Sequence, residues 1–409
     1  LRRLGLHMVK TMVDRTLPAE LDADRLMATI RALSRSIGPR RPTSAAEREA
    51  ARWVHTAIHD LDAGWELINQ PVRSVGGFRF RLAPLALATG LSLIWGLSKR
   101  RANQFIGGRA SGGGSLPPPG PLPLRPAPWE PWLRRGEAQN VVVRIPPRGT
   151  TRRLVVFLAH LDSGRHRITA DPRVVRYLPR TLGSVTLAAL VGGVLTMLAG
   201  RRARWRWLRL AIASLSLGEA ALAILDEQGP TVPGANGNAS GVAALLGLAA
   251  ALKRHPAQST EVVLAFTSAA TAVGTGADTL ATTYGQEWSD ALWVVVNNVG
   301  AGELCWVTQH GISPYAHYYP APEALAVMER VADARPDLGL MGKPMITLDE
   351  LSILRDRDLR AVALSGYDRV TGLIPHWRQH SDTIDAIAPE TVERAAHAIW
   401  TITQVVDQA

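Results

Sequence analysis

His160 and Asp162 stand two residues apart at the end of an apolar run, residues 154–158. An imidazole in such a place can hold a metal ion through one ring nitrogen while a carboxylate orients it through the other. Alone, it is equally well explained as a hydrogen-bonded polar residue at a strand end. Further on, Pro233-Gly234-Ala235-Asn236-Gly237-Asn238-Ala239-Ser240-Gly241 runs into an apolar helix pattern over 242–252. A turn rich in Gly and Asn that opens a helix presents free backbone N–H groups and the positive end of the helix dipole. That setting suits a carboxylate or a metal-bound anion. Polar groups close further apolar runs in Phe266-Thr267-Ser268-Ala269-Ala270-Thr271, in Val296-Asn297-Asn298-Val299-Gly300 and in Pro375-His376-Trp377-Arg378-Gln379-His380-Ser381-Asp382-Thr383. If these loops converge, the chemistry to weigh is hydrolysis. A two-metal hydrolase needs several carboxylates and imidazoles around ions about 3.5–4 Å apart, with a general base for the water.

Taken in order, these stretches resemble the zinc aminopeptidases, a metallopeptidase family whose fold is shared by glutaminyl cyclases. The resemblance runs from about residue 26 onward, interrupted by apolar insertions. The family's loop reads Gly-Ala-Asn-Asp-Asn-Ala-Ser-Gly, and its aspartate bridges two zinc ions; here Gly237 holds that position. His160 matches the first histidine ligand and Asp162 the aspartate that orients it. Phe266 to Thr271 matches Phe-Thr-Asp-Gly-Glu-Glu, which places Ala270 at the general base and Thr271 at the next ligand. Val296 to Gly300 matches Leu-Asp-Asn-Val-Gly, so Asn297 replaces an aspartate ligand. Pro375 to Thr383 matches Pro-Asn-Trp-His-Gln-Pro-Thr-Asp-Thr, and Arg378 replaces the last histidine.

The substitutions remove charge. Gly237, Thr271 and Arg378 are vestigial ligand positions, which leaves His160 and the amide of Asn297 as metal donors. Structural zinc takes four ligands and catalytic zinc three with a water. Ala270 cannot take a proton from water, and an arginine repels a divalent cation. No catalytic residue is assigned and no cofactor is expected. The resemblance then implies an inactive, metal-free member that binds or scaffolds. The alternative is a working metallo-aminopeptidase in which zinc is held by a rearranged set from His160, His376, His380, Asp349 and Asp382. Ser240, His160 and Asp162 also permit a serine triad on paper, but no Gly-x-Ser-x-Gly elbow is present. Ser240 more simply serves the helix start.

The elements that must position these residues alternate. Helix periodicity covers 21–37, a Ser44-Ala45-Ala46-Glu47 capping box opens a helix to about residue 60, and a strand pattern follows over 65–72. Strands are predicted at 140–145, 154–158, 261–266, 292–296, 303–308 and 361–365, with helices at 275–284, 322–334 and 389–406. Near-continuous apolar strands alternating with helices predict a three-layer α/β sandwich with a mainly parallel mixed sheet. The domain is assembled from residues 20–81, 137–181 and 226–409. Between them lie an apolar helix (82–98), a Gly/Pro-rich linker (107–128) and a helical hairpin (182–225).

The hairpin arms, 182–200 and 208–225, enclose an arginine-dense loop with Trp205, and the segments are almost devoid of polar faces. Apolar arms, a basic turn and interfacial Trp predict insertion into a membrane. Of 409 residues, 46% are apolar and the formal charge is +11, which fits an anionic membrane surface as partner. No nucleic-acid motif accompanies the arginines, so nucleic acid is not expected as a partner. A peptide or protein ligand in the pocket is the other expected partner. Cys305 is the only cysteine, which excludes a disulfide framework and a thiolate metal site. The expected location is the cell membrane. The arginines of the hairpin loop and Arg165, Arg167, Arg173, Arg176 and Arg180 at its other end give opposing cues for the side that holds the domain.

Overall fold

The computed structural model describes residues 17–77, 135–177, 179–180, 204–313 and 316–409, with Leu91 and Ile94 besides. The 107–128 linker, the first hairpin arm and, those two positions apart, the 82–98 helix lie outside the described residues.

Helix α1 (Ala23–Arg31) starts where the Asp22 carboxylate accepts the Asp24 N–H at 2.9 Å, and it buries Leu26 and Ile30. A wide helical turn, Ala32–Ile37, carries the chain on to Gly38. The predicted capping box opens α2 (Ala45–Leu61), with Ser44 Oγ accepting the Glu47 N–H at 3.2 Å. Strands β1 (Glu66–Ser74), β2 (Gly136–Ile145) and β3 (Arg153–His160) follow. Helix α3 (Arg204–Asp226) covers the span predicted for the second hairpin arm, and α4 (Ser240–Arg254) is the helix announced by the Gly/Asn turn.

The remaining elements are β4 (Thr260–Thr267), α5 (Thr275–Tyr284), β5 (Leu292–Val296), β6 (Glu303–Ser313), β7 (Ala316–Tyr318), α6 (Pro322–Ala334), β8 (Met341–Met345), α7 (Glu350–Asp356), β9 (Ala361–Tyr367) and α8 (Pro389–Asp407). The sheet runs β1-β2-β4-β3-β5-β9-β6-β7, with β8 on β6. Its centre, β4-β3-β5-β9, is parallel. Antiparallel pairs flank it on both sides, so the sheet is mixed.

Strand side chains alternate between two cores, as a doubly covered sheet requires. Val155, Phe157 and Ala159 of β3 face the core shared with α1, α2, α4, α6 and α8. Val156 and Leu158 face the one shared with α5 and α7. Gly241 lets α4 press on β5, because a Cβ there would collide with the Val296 carbonyl oxygen. Strand β8 and helix α7 were not anticipated. Met341-Gly342-Lys343-Pro344-Met345 carries Gly and Pro and pairs only with β6, so it has no alternating pattern to find.

Candidate functional site

Strands β3, β4 and β5 end side by side, and ligands of open α/β sheets bind beyond such carboxyl ends. The loops there enclose a cavity of about 50 Å³. His160, Gly237, Ala270, Thr271, Asn297 and Arg378 all line it, so the metal-ligand and general-base positions that the resemblance assigns come to one place.

His160 is 9% exposed. Its Nδ1 donates to the Asp162 carbonyl at 2.7 Å and lies 3.4 Å from the Asp162 carboxylate. Burial alone would lower its pKa, but the hydrogen bond and charge of Asp162, with Glu350, hold it above the ordinary imidazole value. In the neutral ring Nδ1 carries the proton toward Asp162 and Nε2 offers the lone pair.

The Asp162 carboxylate is fully buried and does more than orient an imidazole. It accepts the Ala270 N–H at 2.9 Å, the Thr271 N–H at 2.8 Å and the Thr271 hydroxyl at 2.5 Å. Burial would raise its pKa; the bonds from His160 and Thr271 keep it below the ordinary value. The carboxylate therefore ties down the loop that holds Ala270 and Thr271.

Asp382 does the same for the Gly/Asn turn. It accepts the Asn236 N–H at 2.6 Å and the Gly237 N–H at 3.3 Å, and burial pushes its pKa up to about 6. A Cβ placed on Gly237 would lie 3.0 Å from the Asp382 carboxylate and 4.0 Å from Asn298 Oδ1. The side-chain space at Gly237 thus opens directly onto another acid.

Three buried ionisable side chains were not foreseen as part of the site. Arg40 is 0% exposed and threads behind the loops. Its guanidinium donates to the Leu33, Gly38, Leu161 and Pro233 carbonyls and to Asn238 Oδ1. Desolvation lowers its pKa to about 10, with Asp382, Asp162 and Glu47 opposing, so it remains a cation. Glu47, seen in the sequence only as a helix cap, accepts the Thr43 N–H at 2.6 Å and also reaches the Ala269 N–H at 2.7 Å. Burial, with the Asp162 charge behind it, pushes its carboxyl up to about 8. Glu350, at the start of α7, accepts from the Thr267 hydroxyl at 2.5 Å and from Asn297 Nδ2 at 3.3 Å; burial raises its pKa. Only the Ser44–Glu47 spacing gave any sequence signal of these three.

Asn297 is 2% exposed, its amide turned to Glu350 and its Oδ1 without a partner. Arg378 lines the cavity at a left-handed φ of 53°. Its guanidinium packs on Gly164 and lies 5.5 Å from the Trp377 ring. Desolvation, with Arg167 beside it, lowers its pKa to about 9, while Glu227, Asp162 and Asp226 oppose. No hydrogen bond from it to Asp162 or Asp382 forms, and its Nε is buried without a partner. Of the residues that a rearranged zinc site would draw on, His160, Asp349 and Asp382 line the cavity. His376 instead bonds Ser381 at 2.9 Å, and His380 stacks on His166 at 3.9 Å. Ser240 donates to the Asn236 carbonyl at 2.7 Å inside its own helix, which leaves it no part in a serine triad.

This donor set does not fit a pair of zinc ions. Asp162 and Asp382 are turned onto backbone N–H groups, Glu350 onto Thr267 and Asn297, and a guanidinium shares the space. Among the described residues no group of three or more His, Cys, Asp or Glu side chains is arranged to hold a metal ion.

The fold has known counterparts. A zinc-dependent exopeptidase from Parabacteroides distasonis aligns with a TM-score of 0.54 at 15% identity, over 95% of this chain and 99% of that one. The glutaminyl cyclase of Bacteroides thetaiotaomicron gives 0.56 at 14%, over 95% and 98%. A leucine aminopeptidase precursor from Bacteroides thetaiotaomicron gives 0.54 at 14%, over 95% and 98%. No curated protein sequence matches the chain. The sequence model of peptidase family M28 matches residues 223–403, a span that holds the Gly/Asn turn and the loops of Ala270, Asn297 and Arg378. Sheet topology and these counterparts agree on the zinc-exopeptidase α/β fold, and the C-terminal part of the chain is similar to peptidase family M28.

Proposed function

We propose that this chain is a catalytically inactive, metal-free member of peptidase family M28 that binds a ligand while held at a membrane. One observation carries the reading: the Asp162 carboxylate clamps the backbone of Ala270 and Thr271, the positions of the general base and of a ligand. Carboxylates that in a two-metal site would face dications here stabilise loops, and the positive charge of the cavity comes from Arg378. With Ala270 as the nearest residue to the base position, no side chain there accepts a proton from water. What remains is a rigid cavity whose polar lining, Asn297 Oδ1 and His160 among it, recognises without cleaving. A peptide N-terminus is the ligand class that the aminopeptidase and glutaminyl cyclase counterparts suggest.

The membrane part of the proposal rests on α3. Trp207 is 76% exposed and Leu208, Leu215, Leu222 and Leu225 are exposed as well. Two helical stretches of the described chain, Arg206–Asp226 and Ala235–Arg254, are long and apolar enough to span a bilayer. The second is packed inside the domain as α4, and the first is not. An apolar helix outside the core needs lipid or another apolar surface.

Purified full-length protein, assayed with aminoacyl-4-nitroanilides and with N-terminal glutamine peptides, is expected to turn over neither, with or without added zinc. Elemental analysis is expected to find zinc well below one ion per chain. Stoichiometric zinc together with turnover would establish the rearranged enzyme instead.

A further inference from the structure

Helix α3 ends at the rim of the site, and its foot is built into the site's own loops. Asp226, in the last turn of α3, accepts the Ile168 N–H at 2.8 Å and the Thr169 N–H at 3.3 Å. Glu227 pairs with Arg167, and the Arg167 N–H donates to the Arg378 carbonyl at 3.1 Å. Gly164 and Val232, which border the cavity, are joined by a 2.9 Å backbone bond. The apolar helix, the loop after β3 and the Arg378 loop thus form one unit.

The surface next to this foot has a definite composition. Ile168, Val174 and Tyr177 are 54%, 43% and 46% exposed. Arg173 and Arg176 are exposed between them on a single helical turn, Pro172–Val175, and its continuation, with the Arg176 guanidinium 4.9 Å from the Tyr177 ring. Exposed aliphatic and aromatic side chains interleaved with arginines, contiguous with an apolar helix, match the headgroup layer of an anionic bilayer. There amphipathic rings sit at the interface, and each Arg near the surface is drawn to the anionic headgroups.

We infer that residues 168–177 lie in the headgroup layer of an anionic membrane, so that the cavity opens toward the bilayer and takes its ligand from the membrane surface. This rests on the membrane reading of α3 and adds to it an orientation: the carboxyl ends of the parallel strands face lipid, and the opposite end, where α4 stops at Arg254, faces water. Fifteen residues of α4, Ser240–Arg254, at about 1.5 Å each separate the two ends by roughly 20 Å.

Cys305 is the only cysteine and is buried, so Val174→Cys gives a single accessible thiol for an environment-sensitive fluorophore. The labelled full chain is reconstituted in nanodiscs of phosphatidylcholine alone or mixed with phosphatidylglycerol. The label at 174 is expected to emit to the blue of the fluorophore's free thiol adduct in water and to be quenched by headgroup spin-labelled lipid, more strongly in the anionic discs. Arg173→Glu with Arg176→Glu removes the anionic enhancement. A His255→Cys label at the far end stays water-like in both discs. Incorporated protein whose label at 174 is as solvated as that at 255 overturns the orientation while leaving the membrane reading intact, and Tyr177→Cys repeats the measurement at a second position. Protein that stays soluble without lipid or detergent overturns both.

Discussion

Thr271 bonds Asp162 twice, through its N–H at 2.8 Å and its hydroxyl at 2.5 Å, both on the same carboxylate oxygen. The residue that the resemblance sets at a ligand position and the aspartate beside His160 are donor and acceptor of each other. The same carboxylate takes the Ala270 N–H, so it now acts as the cap of the Ala270–Val273 turn.

Asp162→Asn tests that role. An amide offers one acceptor and a donor pair where the loop presents only donors, which leaves at least one buried N–H facing another. The expected loss is about 2–4 kcal/mol, in line with breaking a buried charged hydrogen-bond network. The pH dependence has a fixed sign. The folded pKa of Asp162 lies below its ordinary value of 3.8, so its stabilisation is full above that value and is lost as pH falls below it. Thermal melts in detergent should show the wild type losing stability in acid, with the variant less stable at neutral pH and less sensitive to acid. Equal melting temperatures at pH 7 would refute the clamp.

Ala269 holds a left-handed φ of 51°, at the position where the family motif has glycine. A side chain pays for that conformation in strain, and Glu47 accepting the Ala269 N–H keeps it there. Ala269→Gly relieves the strain, partly offset by the greater freedom of glycine in the unfolded chain. A gain of about 0.5–1 kcal/mol in denaturant unfolding is expected, and a loss would show that the methyl group packs to greater advantage than the backbone strains.

Glu47 gives a second titration of opposite sign. Its pKa rises from 4.5 to about 8 in the fold, because burial and Asp162 disfavour its charge. The folded state therefore holds a proton that the unfolded chain releases, and stability falls as pH rises from about 4.5 through 8. At about 1.4 kcal/mol per pKa unit the decline amounts to a few kcal/mol. Glu47→Gln cannot ionise and should flatten this limb. It should melt below wild type at pH 5, for want of the acceptor facing Thr43, and approach or pass it at pH 9.

Much of this architecture was legible because it follows from local chemistry. Unbroken apolar runs marked the central strands, such as Leu292–Val296, where every residue is buried. The Ser44 and Glu47 spacing marked α2, and the motif order located the loops of His160, Gly237, Ala270, Asn297 and Arg378 that line the cavity. What was hidden depends on long-range encounter. Arg40 lies among prolines with no periodicity, yet it meets carbonyls nearly two hundred positions away at Pro233. Glu350 sits in the first turn of α7, an ordinary place for an acid near a helix start, and only tertiary packing brings it to Asn297. That Asp162 caps a loop, beyond orienting His160, could not be read from a motif, because the same residue type suits both roles.

An aspartate placed at Gly237, where the resemblance sets the bridging ligand, should destabilise the fold without making a metal site. A side chain grown from Gly237 starts 3.0 Å from the Asp382 carboxylate, which is itself buried and already shifted to about 6. Gly237→Asp would press two acids together without a cation between them, and like charges at such range force one to stay protonated. A loss of about 1–3 kcal/mol at pH 7, shrinking toward pH 5, is expected. If zinc is taken up stoichiometrically by the variant and raises its melting temperature, the donor set is more complete than the geometry indicates.

Arg378 should prove costly to keep. It stands at a strained φ of 53°, with its Nε buried and unpartnered, and desolvation pulls its pKa down to about 9. Its charge is opposed by Arg167 and supported only at a distance by Glu227, Asp162 and Asp226. The side chain is half-buried, and water screens part of the penalty, so the net cost is far below that of a fully dry guanidinium. Arg378→Met keeps the apolar stem against Trp377 and removes the charge, and it is expected to raise stability by about 1 kcal/mol. A residue whose removal stabilises the fold is retained for something other than folding. The same variant should therefore weaken capture of whatever ligand the cavity takes. A variant that melts lower than wild type would instead make Arg378 a structural residue and remove it from the recognition site.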